Sequence, residues 1–438
     1  MQSDVTNYKP LTPSNIDMLP QIEALPFDLR QDIKVVSTVF PFRTNRYIVE
    51  NLIDWARVPH DPIYQLTFPQ HGMLSPADYS TMARLIASHA PRAQIKAAAR
   101  DIQMRHNPHP AGQMVYNVPQ LNGVPVPGVQ HKYKETVLFF PSQGQTCHAY
   151  CSYCFRWAQF IGDQDLRFAS KEAEGLARYL AQHPEVTDVL FTGGDPMVMN
   201  ARRLRQTIEP LLAPRLEHVH TIRIGTKSLA YWPQRYVSDA DADDVIRLFE
   251  DIIAQDRHLA IMAHFSHPRE FETPIARQAI RRLRDIGCEI RMQAPIIHHV
   301  NDNVTAWATM WREGVKLGMI PYYMFVSRDT GPKNYFEVPL AEAVHIFRQA
   351  YSQVSGLART VRGPVMSATP GKVHITGTAQ IKGQRVFVLR FLQGRNPDWV
   401  GRPFFARYDQ EATWLFDLEP AFSSEAFFFD ANTEYASA

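Results

Sequence analysis

Cys147-His148-Ala149-Tyr150-Cys151-Ser152-Tyr153-Cys154-Phe155-Arg156 places three thiols at C-x3-C-x2-C spacing, shortly after the apolar run Val137-Leu138-Phe139-Phe140. A cubane iron–sulfur cluster that only carries electrons is held by four cysteines, so a three-cysteine set leaves one iron without a protein ligand and open to a small molecule. Structural zinc is the competing reading, with His148 as the fourth donor. His148 directly follows Cys147, however, and adjacent residues rarely converge on one tetrahedral ion. The only other cysteine, Cys288, lies between a helical and a strand-like segment and reads as a small buried hydrophobe.

Working outward from this run, short apolar stretches alternate with amphipathic ones. Val137–Phe140, Val189–Thr192, Thr221–Gly225, Ala260–Phe265, Glu289–Ile296 and Tyr322–Val326 predict strands; Lys171–Gln182, Ala201–Leu212, Ala240–Ala254, Pro274–Ile286 and Thr305–Leu317 predict helices, with apolar residues recurring at three and four. Strand and helix in alternation give a parallel sheet, and six repeats without a second set give a partial (β/α)6 barrel over residues 131–340. Chemistry in such sheets gathers at the carboxyl ends of the strands, and Cys147 follows the first. Residues 1–130 predict an N-terminal helical cap, with helices at Arg46–Arg57, Ser75–His89 and Pro91–His106 and a Pro/Gly/Asn-rich connector from Asn107 to Gly128. Residues 341–438 predict a C-terminal extension: helix Ala341–Ser352, a strand-like Thr360–Met366, a hairpin over Val373–Leu392, and an aromatic tail that packs on the barrel or on another subunit.

Four cysteines in 438 residues, three of them clustered, make no disulfide framework, and the N-terminus lacks a basic region followed by an apolar run. A reducing, cytoplasmic setting is the expectation. No stretch approaches the roughly 20 apolar residues of a membrane span. With 46 basic against 44 acidic residues there is no net field to gather polyanions, so neither membrane nor nucleic acid is expected as a partner.

A second motif, Phe191-Thr192-Gly193-Gly194-Asp195-Pro196, falls where a strand ends. Paired glycines let backbone approach a ligand without a Cβ. One β/α unit after a three-cysteine loop, this motif resembles the radical S-adenosylmethionine (SAM) enzymes, in which the open iron chelates SAM and an electron from the cluster cleaves it to a 5′-deoxyadenosyl radical. More narrowly, the chain from about Val39 to Lys372 resembles the lysine 2,3-aminomutase family. The landmarks are Phe40-Pro41-Phe42-Arg43, Val126-Pro127-Gly128-Val129-Gln130-His131-Lys132-Tyr133, the cysteine loop, Thr192–Pro196, Ile222-Arg223-Ile224-Gly225-Thr226, His264-Phe265-Ser266-His267-Pro268, Val300-Asn301-Asp302 and Ile320-Pro321-Tyr322-Tyr323.

The resemblance implies an isomerase that moves an amino group between adjacent carbons with a [4Fe-4S] cluster on Cys147, Cys151 and Cys154, SAM on Gly193, Gly194 and Asp195, and pyridoxal 5'-phosphate (PLP). The deoxyadenosyl radical removes an unactivated hydrogen and PLP bridges the nitrogen. The lysine that carries PLP follows a glycine-rich loop in the family; the matching segment here is Met366-Ser367-Ala368-Thr369-Pro370-Gly371-Lys372, so Lys372 is the candidate, with Lys132 and Tyr133 beside the cofactor. That loop departs from the pattern in keeping only Gly371, and the family's His-Arg-Tyr segment appears with Lys132 and Lys134, which cannot supply an arginine's bidentate fork. A PLP-independent radical SAM enzyme on the same scaffold is therefore the alternative.

Arg156 matches the family's arginine for the substrate α-carboxylate. Where the lysine enzyme sets two aspartates around a distal ammonium, alignment places Arg328 and Ser367, so an α-amino acid with an acidic or neutral side chain is the expected substrate and a β-amino acid the product. A one-residue shift would put Asp329 there instead and restore lysine. His264 and Gln293 match strand-end positions of the SAM or PLP pocket, with His267 and Arg223 as weaker members, and Asp302 reads as a helix cap. The family's C-terminal zinc cysteines are absent, so a homo-oligomer would have to be joined otherwise, through the aromatic tail. A reductant such as flavodoxin or ferredoxin is the implied protein partner.

Overall fold

The computed structural model describes residues 8–430 except 113, 115, 164 and 172. One sheet of eleven strands organises them: β1 (Val129–Tyr133), β2 (Thr136–Phe139), β3 (Asp188–Phe191), β4 (Thr221–Thr226), β5 (His258–His264), β6 (Glu289–Ile296), β7 (Ile320–Val326), β8 (Arg362–Ser367), β9 (Gly371–Ile381), β10 (Gln384–Gly394) and β11 (Pro403–Arg407). Each strand lies beside its sequence neighbours, in linear order. From β2 to β8 the pairing is parallel; β1 and β9–β11 pair antiparallel at the two edges.

Helices cover the crossovers: α1 (Ala173–Ala181), α2 (Ala201–Ile208), α3 (Ala242–Ala254), α4 (Pro274–Asp285), α5 (Val304–Lys316) and α6 (Leu340–Ser352). Their apolar stripes, such as Val245, Leu248, Phe249 and Ile252 on α3, are buried. Burial alternates along β4 and β6: Ile222, Ile224, Ile290 and Met292 are enclosed while Arg223, Gly225, Arg291 and Gln293 stay half-open. One face of the sheet is thus a sealed apolar layer and the other a polar, accessible one, as expected for a parallel sheet with helices on one side and a site on the other.

The six strands and five helices expected from periodicity are present, with ends shifted by a few residues. The parallel sheet runs one unit further, because α6 and β8 continue it past residue 340. Strand β1 was not anticipated; it spans position 130, in a stretch whose Pro and Gly content masked it. The helix expected over Arg46–Arg57 ends at Asn51, and Asp54 caps a separate turn at Trp55–Arg57. Asp302 is not the cap of α5: Asn303 is, accepting from the Ala306 amide at 2.8 Å, while Asp302 binds His298 at 2.5 Å. The aromatic tail packs within the chain, where Trp399, Phe404, Trp414 and Phe429 form a second core with Phe387 and Phe391 of β10. No helix among the described residues is long and apolar enough to cross a membrane.

Among the described residues, the N-terminal segment is tied to the turn that follows β5 through Asp61, which is fully buried. Its Oδ1 accepts from the amides of Ile63 and Tyr64, both at 2.9 Å, and its Oδ2 accepts a two-armed contact from Arg269 at 2.7 and 2.8 Å. Removing one partner of such a buried pair strands the other's charge. Arg269→Ala is expected to cost about 3 kcal/mol or more, measured by chemical denaturation against the wild type; a loss under about 0.5 kcal/mol would show that the pair does not hold the N-terminal segment in place.

Candidate active site

The cysteine loop leaves β2 and is held from outside by the N-terminal segment. Tyr8 Oη and Asn45 Nδ2 donate to the His148 carbonyl at 2.9 and 3.2 Å; the Tyr150 amide donates to Arg43 O at 2.9 Å; the Ser152 amide donates to Leu66 O at 2.9 Å and its hydroxyl to Gln65 O at 2.6 Å. Arg43 donates to Thr146 Oγ1 and, at 3.3 Å, to Cys147 O. Burial pushes all three thiols up, Cys154 to about 12; Asp195 and then the other two thiols add to this at Cys147, and Cys151 adds to it at Cys154. Such sulfurs carry charge only against a bound cation. Among the described residues no three His, Cys, Asp or Glu side chains converge on a single ion. Three free thiols in one loop, with no fourth cysteine beside them, are the donor chemistry that a cluster with one open iron takes.

The Gly-Gly-Asp turn packs on this loop. A Cβ on Gly194 would sit 2.4 Å from Thr146 O and 2.5 Å from Thr146 N, and Gly193, at φ +139°, lies against Gln145. Close backbone approach is therefore what these glycines provide. Asp195 is enclosed: its amide donates to Gly144 O and Thr146 O at 3.0 and 2.7 Å, and its carboxylate accepts from Thr226 Oγ1 at 2.7 and 2.8 Å, Lys227 N at 2.8 Å and Met197 N at 2.9 Å. Burial raises it to about 6 even so.

Lys372 opens β9, opposite Ser367 of β8 and Gln393 of β10. Its ammonium donates to Gln393 Oε1 at 2.8 Å and stands 5.1 and 5.6 Å from the ring centroids of Tyr323 and Tyr133. Burial, then Arg223 and Arg362, lower it to about 7. Lys132 donates to Ala368 O, and burial with Arg395, Arg328 and Lys372 lowers it strongly. Tyr133 has a buried hydroxyl with no hydrogen-bond partner among the described residues. Arg395 was not found from sequence. It follows β10 and donates to Thr369 O at 2.9 Å and Asn117 Oδ1 at 2.5 Å; its only sequence signal was a turn, Gly394-Arg395-Asn396-Pro397.

Arg156 lies over Phe140 (4.4 Å) and Phe155 (5.1 Å), and Arg328 over the same Phe155 (5.4 Å). Neither is in an ion pair among the described residues. Burial lowers Arg156 to about 10, and Arg328 also moves down. Arg328 Nε and Asp329 Oδ1 are buried without partners. Arg223 sits mid-strand, not at a strand end, bonded to Asp188 at 2.7 Å. Gln293 of β6 pairs with His264 of β5 and Tyr323 of β7. His264 is neutral, lowered to about 3 by burial and Lys227, and His267 caps the turn Pro268–Phe271.

No family model matches the chain. It is 30% identical over 397 residues to a protein named "Putative L-lysine 2,3-aminomutase" from Aquifex aeolicus (strain VF5), covering 90% of this chain and 92% of that one. It is 28% identical over 234 residues to L-lysine 2,3-aminomutase of Fusobacterium nucleatum subsp. nucleatum, covering 53% and 52%. Among solved structures, Streptococcus suis SuiB aligns over 62% of this chain and 56% of that one with TM-score 0.36 and 13% identity, too slight a likeness to argue from.

The Lys372 environment sets a pH expectation. In competitive labelling by a small acylating reagent, Lys372 should gain reactivity with a midpoint near 7, against 10.5 for an unperturbed lysine. Between those values the unfolded chain binds the extra proton, so this residue's contribution to stability is least below the lower value and rises with pH up to the higher one. A midpoint above about 9.5 would mean the amine is solvated.

Proposed function

Starting from a chain that belongs to the lysine 2,3-aminomutase family of radical SAM enzymes, we propose that it is an amino acid 2,3-aminomutase acting on an α-amino acid with an acidic or neutral side chain. Cys147, Cys151 and Cys154 would hold the [4Fe-4S] cluster, Gly193, Gly194 and Asp195 the SAM, with His264 and Gln293 beside it, and Lys372 the PLP. The sheet would then curl as the partial barrel of that family. When bound, the cofactors supply hydrogen abstraction and a bridge for the migrating nitrogen. The protein's part is charge and position: Lys372 is held by Gln393 between two tyrosine rings and loses its proton near neutral pH, as an amine that attaches to a carbonyl must. Lys132 and Arg395 stand one loop away, suited to a phosphate, and Arg156 to a carboxylate.

The observation that carries the substrate reading is the charge around this pocket. Arg328 acts on Lys132 and on Arg156, Arg395 and Lys372 act on Lys132, and Arg223 and Arg362 act on Lys372; the groups of opposite sign are Asp188, Asp329, Tyr133 and the thiols Cys147 and Cys154. A second ammonium is disfavoured there. Asp329 is the observation that favours the other reading, a lysine enzyme, because its Oδ1 is buried without a partner beside Arg328.

Two experiments test this. Borohydride treatment of protein incubated with PLP, followed by peptide mapping, should label Lys372; label elsewhere, or none, would favour the PLP-independent alternative. In a panel of amino acids assayed anaerobically with SAM and a reductant such as reduced flavodoxin, glutamate or a neutral amino acid should be turned over in preference to lysine. Arg328→Asp should lower that turnover at least tenfold while leaving SAM cleavage in place. Efficient turnover of lysine alone would move the specificity role to Asp329.

A further inference from the structure

The hydroxyl of Tyr231 lies 3.2 Å from the sulfur of Cys151. Tyr231 ends the short helix Ser228–Tyr231 that follows β4 and is enclosed, 1% exposed. It is held from several directions. Its carbonyl accepts from Asn45 Nδ2 at 2.9 Å, the same amide that holds the His148 carbonyl, so phenol and cysteine loop share one anchor. The Lys227 ammonium stands 4.6 Å from its ring centroid and is fixed there by Glu270 at 2.6 Å, by His264 O and by Ser266 Oγ, both at 3.2 Å. Glu270 is fully buried and in turn accepts from the amides of Ser266 and His267. The ammonium over the phenol face holds the ring in place.

We propose that Tyr231 is a positioning residue for the iron–sulfur cluster: it donates a hydrogen bond to the Cys151 thiolate, backed by the Lys227–Glu270 pair, and thereby raises the cluster's reduction potential. The inference rests on the reading that Cys147, Cys151 and Cys154 hold the cluster. A hydrogen bond to a ligating sulfur withdraws negative charge, and the reduced cluster, one charge more negative than the oxidised one, gains more from it. Nothing in the family landmarks of the sequence requires a tyrosine at this position; it lies between Thr226 and Pro233 in a stretch that reads as ordinary packing.

The test is an anaerobic redox titration of the reconstituted full-length protein, read by the electron paramagnetic resonance signal of the reduced cluster. Tyr231→Phe, which keeps the ring and removes the hydroxyl, should hold the wild-type amount of iron and titrate at a more negative potential. Tyr150→Phe is the control: its hydroxyl bonds Thr146 at 3.1 Å in the same loop and, among the described residues, has no hydrogen bond to a thiol, so its potential should lie closer to the wild type than that of Tyr231→Phe. An unchanged potential in Tyr231→Phe, or an equal shift in both variants, overturns the proposal. Should Tyr231→Phe fail to take up iron, resonance Raman spectra of the wild type decide: an iron–thiolate stretch that moves in deuterated buffer supports the bond, and one that does not move refutes it. Wild-type protein that takes up no iron would instead overturn the cluster reading itself.

Discussion

The upper edge of the sheet depends on one buried carboxylate. Asp195 belongs to the turn after β3, yet its amide holds the carbonyls of Gly144 and Thr146 in the cysteine loop and its oxygens hold Thr226 and Lys227 at the end of β4. A charge removed from water at this depth is tolerable only because three donors meet it, the Thr226 hydroxyl and the amides of Lys227 and Met197, and desolvation still raises it to about 6. The geometry is bound to the glycine before it, since any side chain at Gly194 would strike Thr146. Thiols, glycine turn and the Lys227–Tyr231 segment thus form one unit, and a displacement of any is transmitted to the others.

A second constraint is electrostatic. Cations outnumber carboxylates in the half-open interior, and burial moves Lys132, Arg156, Arg328 and Lys372 in the same direction, toward the uncharged form. Part of this is relieved inside the protein, by Asp188 on Arg223, by the Tyr322 and Tyr323 rings at 4.5 and 4.2 Å from Arg362, and by carbonyls on Lys132 and Arg395. Arg328 is met by Asp329, and Arg156 by the thiols Cys154 and Cys147, beside the aromatic faces on which both lie. This surplus of positive charge is what supports the acidic or neutral substrate proposed above.

The parallel strands and their helices were legible because apolar periodicity reports burial directly, and α2 to α5 begin where the sequence placed them or within two residues. The two chemical motifs were legible because spacing within a loop is local. What escaped was non-local. β1 is defined by its antiparallel partner and not by its own composition. Arg395 enters the pocket only through pairing of Gly371 with Gly394, twenty-odd residues apart in sequence. His267 matched its position for reasons of capping, which a strand-end motif does not distinguish from ligand binding. Tyr231 carried no sequence signal at all, since its significance is a contact across eighty residues.

The contracted loop before Lys372 shows how a family pattern can change its chemistry while keeping its place. A run of glycines can offer a phosphate its backbone amides. Here the amides of Ala368 and Gly371 are bonded to each other's carbonyls at 3.0 and 3.2 Å, Pro370 has none, and the carbonyls of Ala368, Thr369 and Pro370 point to Lys132 and to Arg395. The one glycine that remains is fixed by packing, because a Cβ on Gly371 would lie 2.2 Å from Gln393 O. An anion above this loop would be met by side-chain charge and not by an amide nest. Lys132 gives a point charge and Arg395 a planar fork, so at this loop cationic side chains stand where a run of glycines would offer backbone donors.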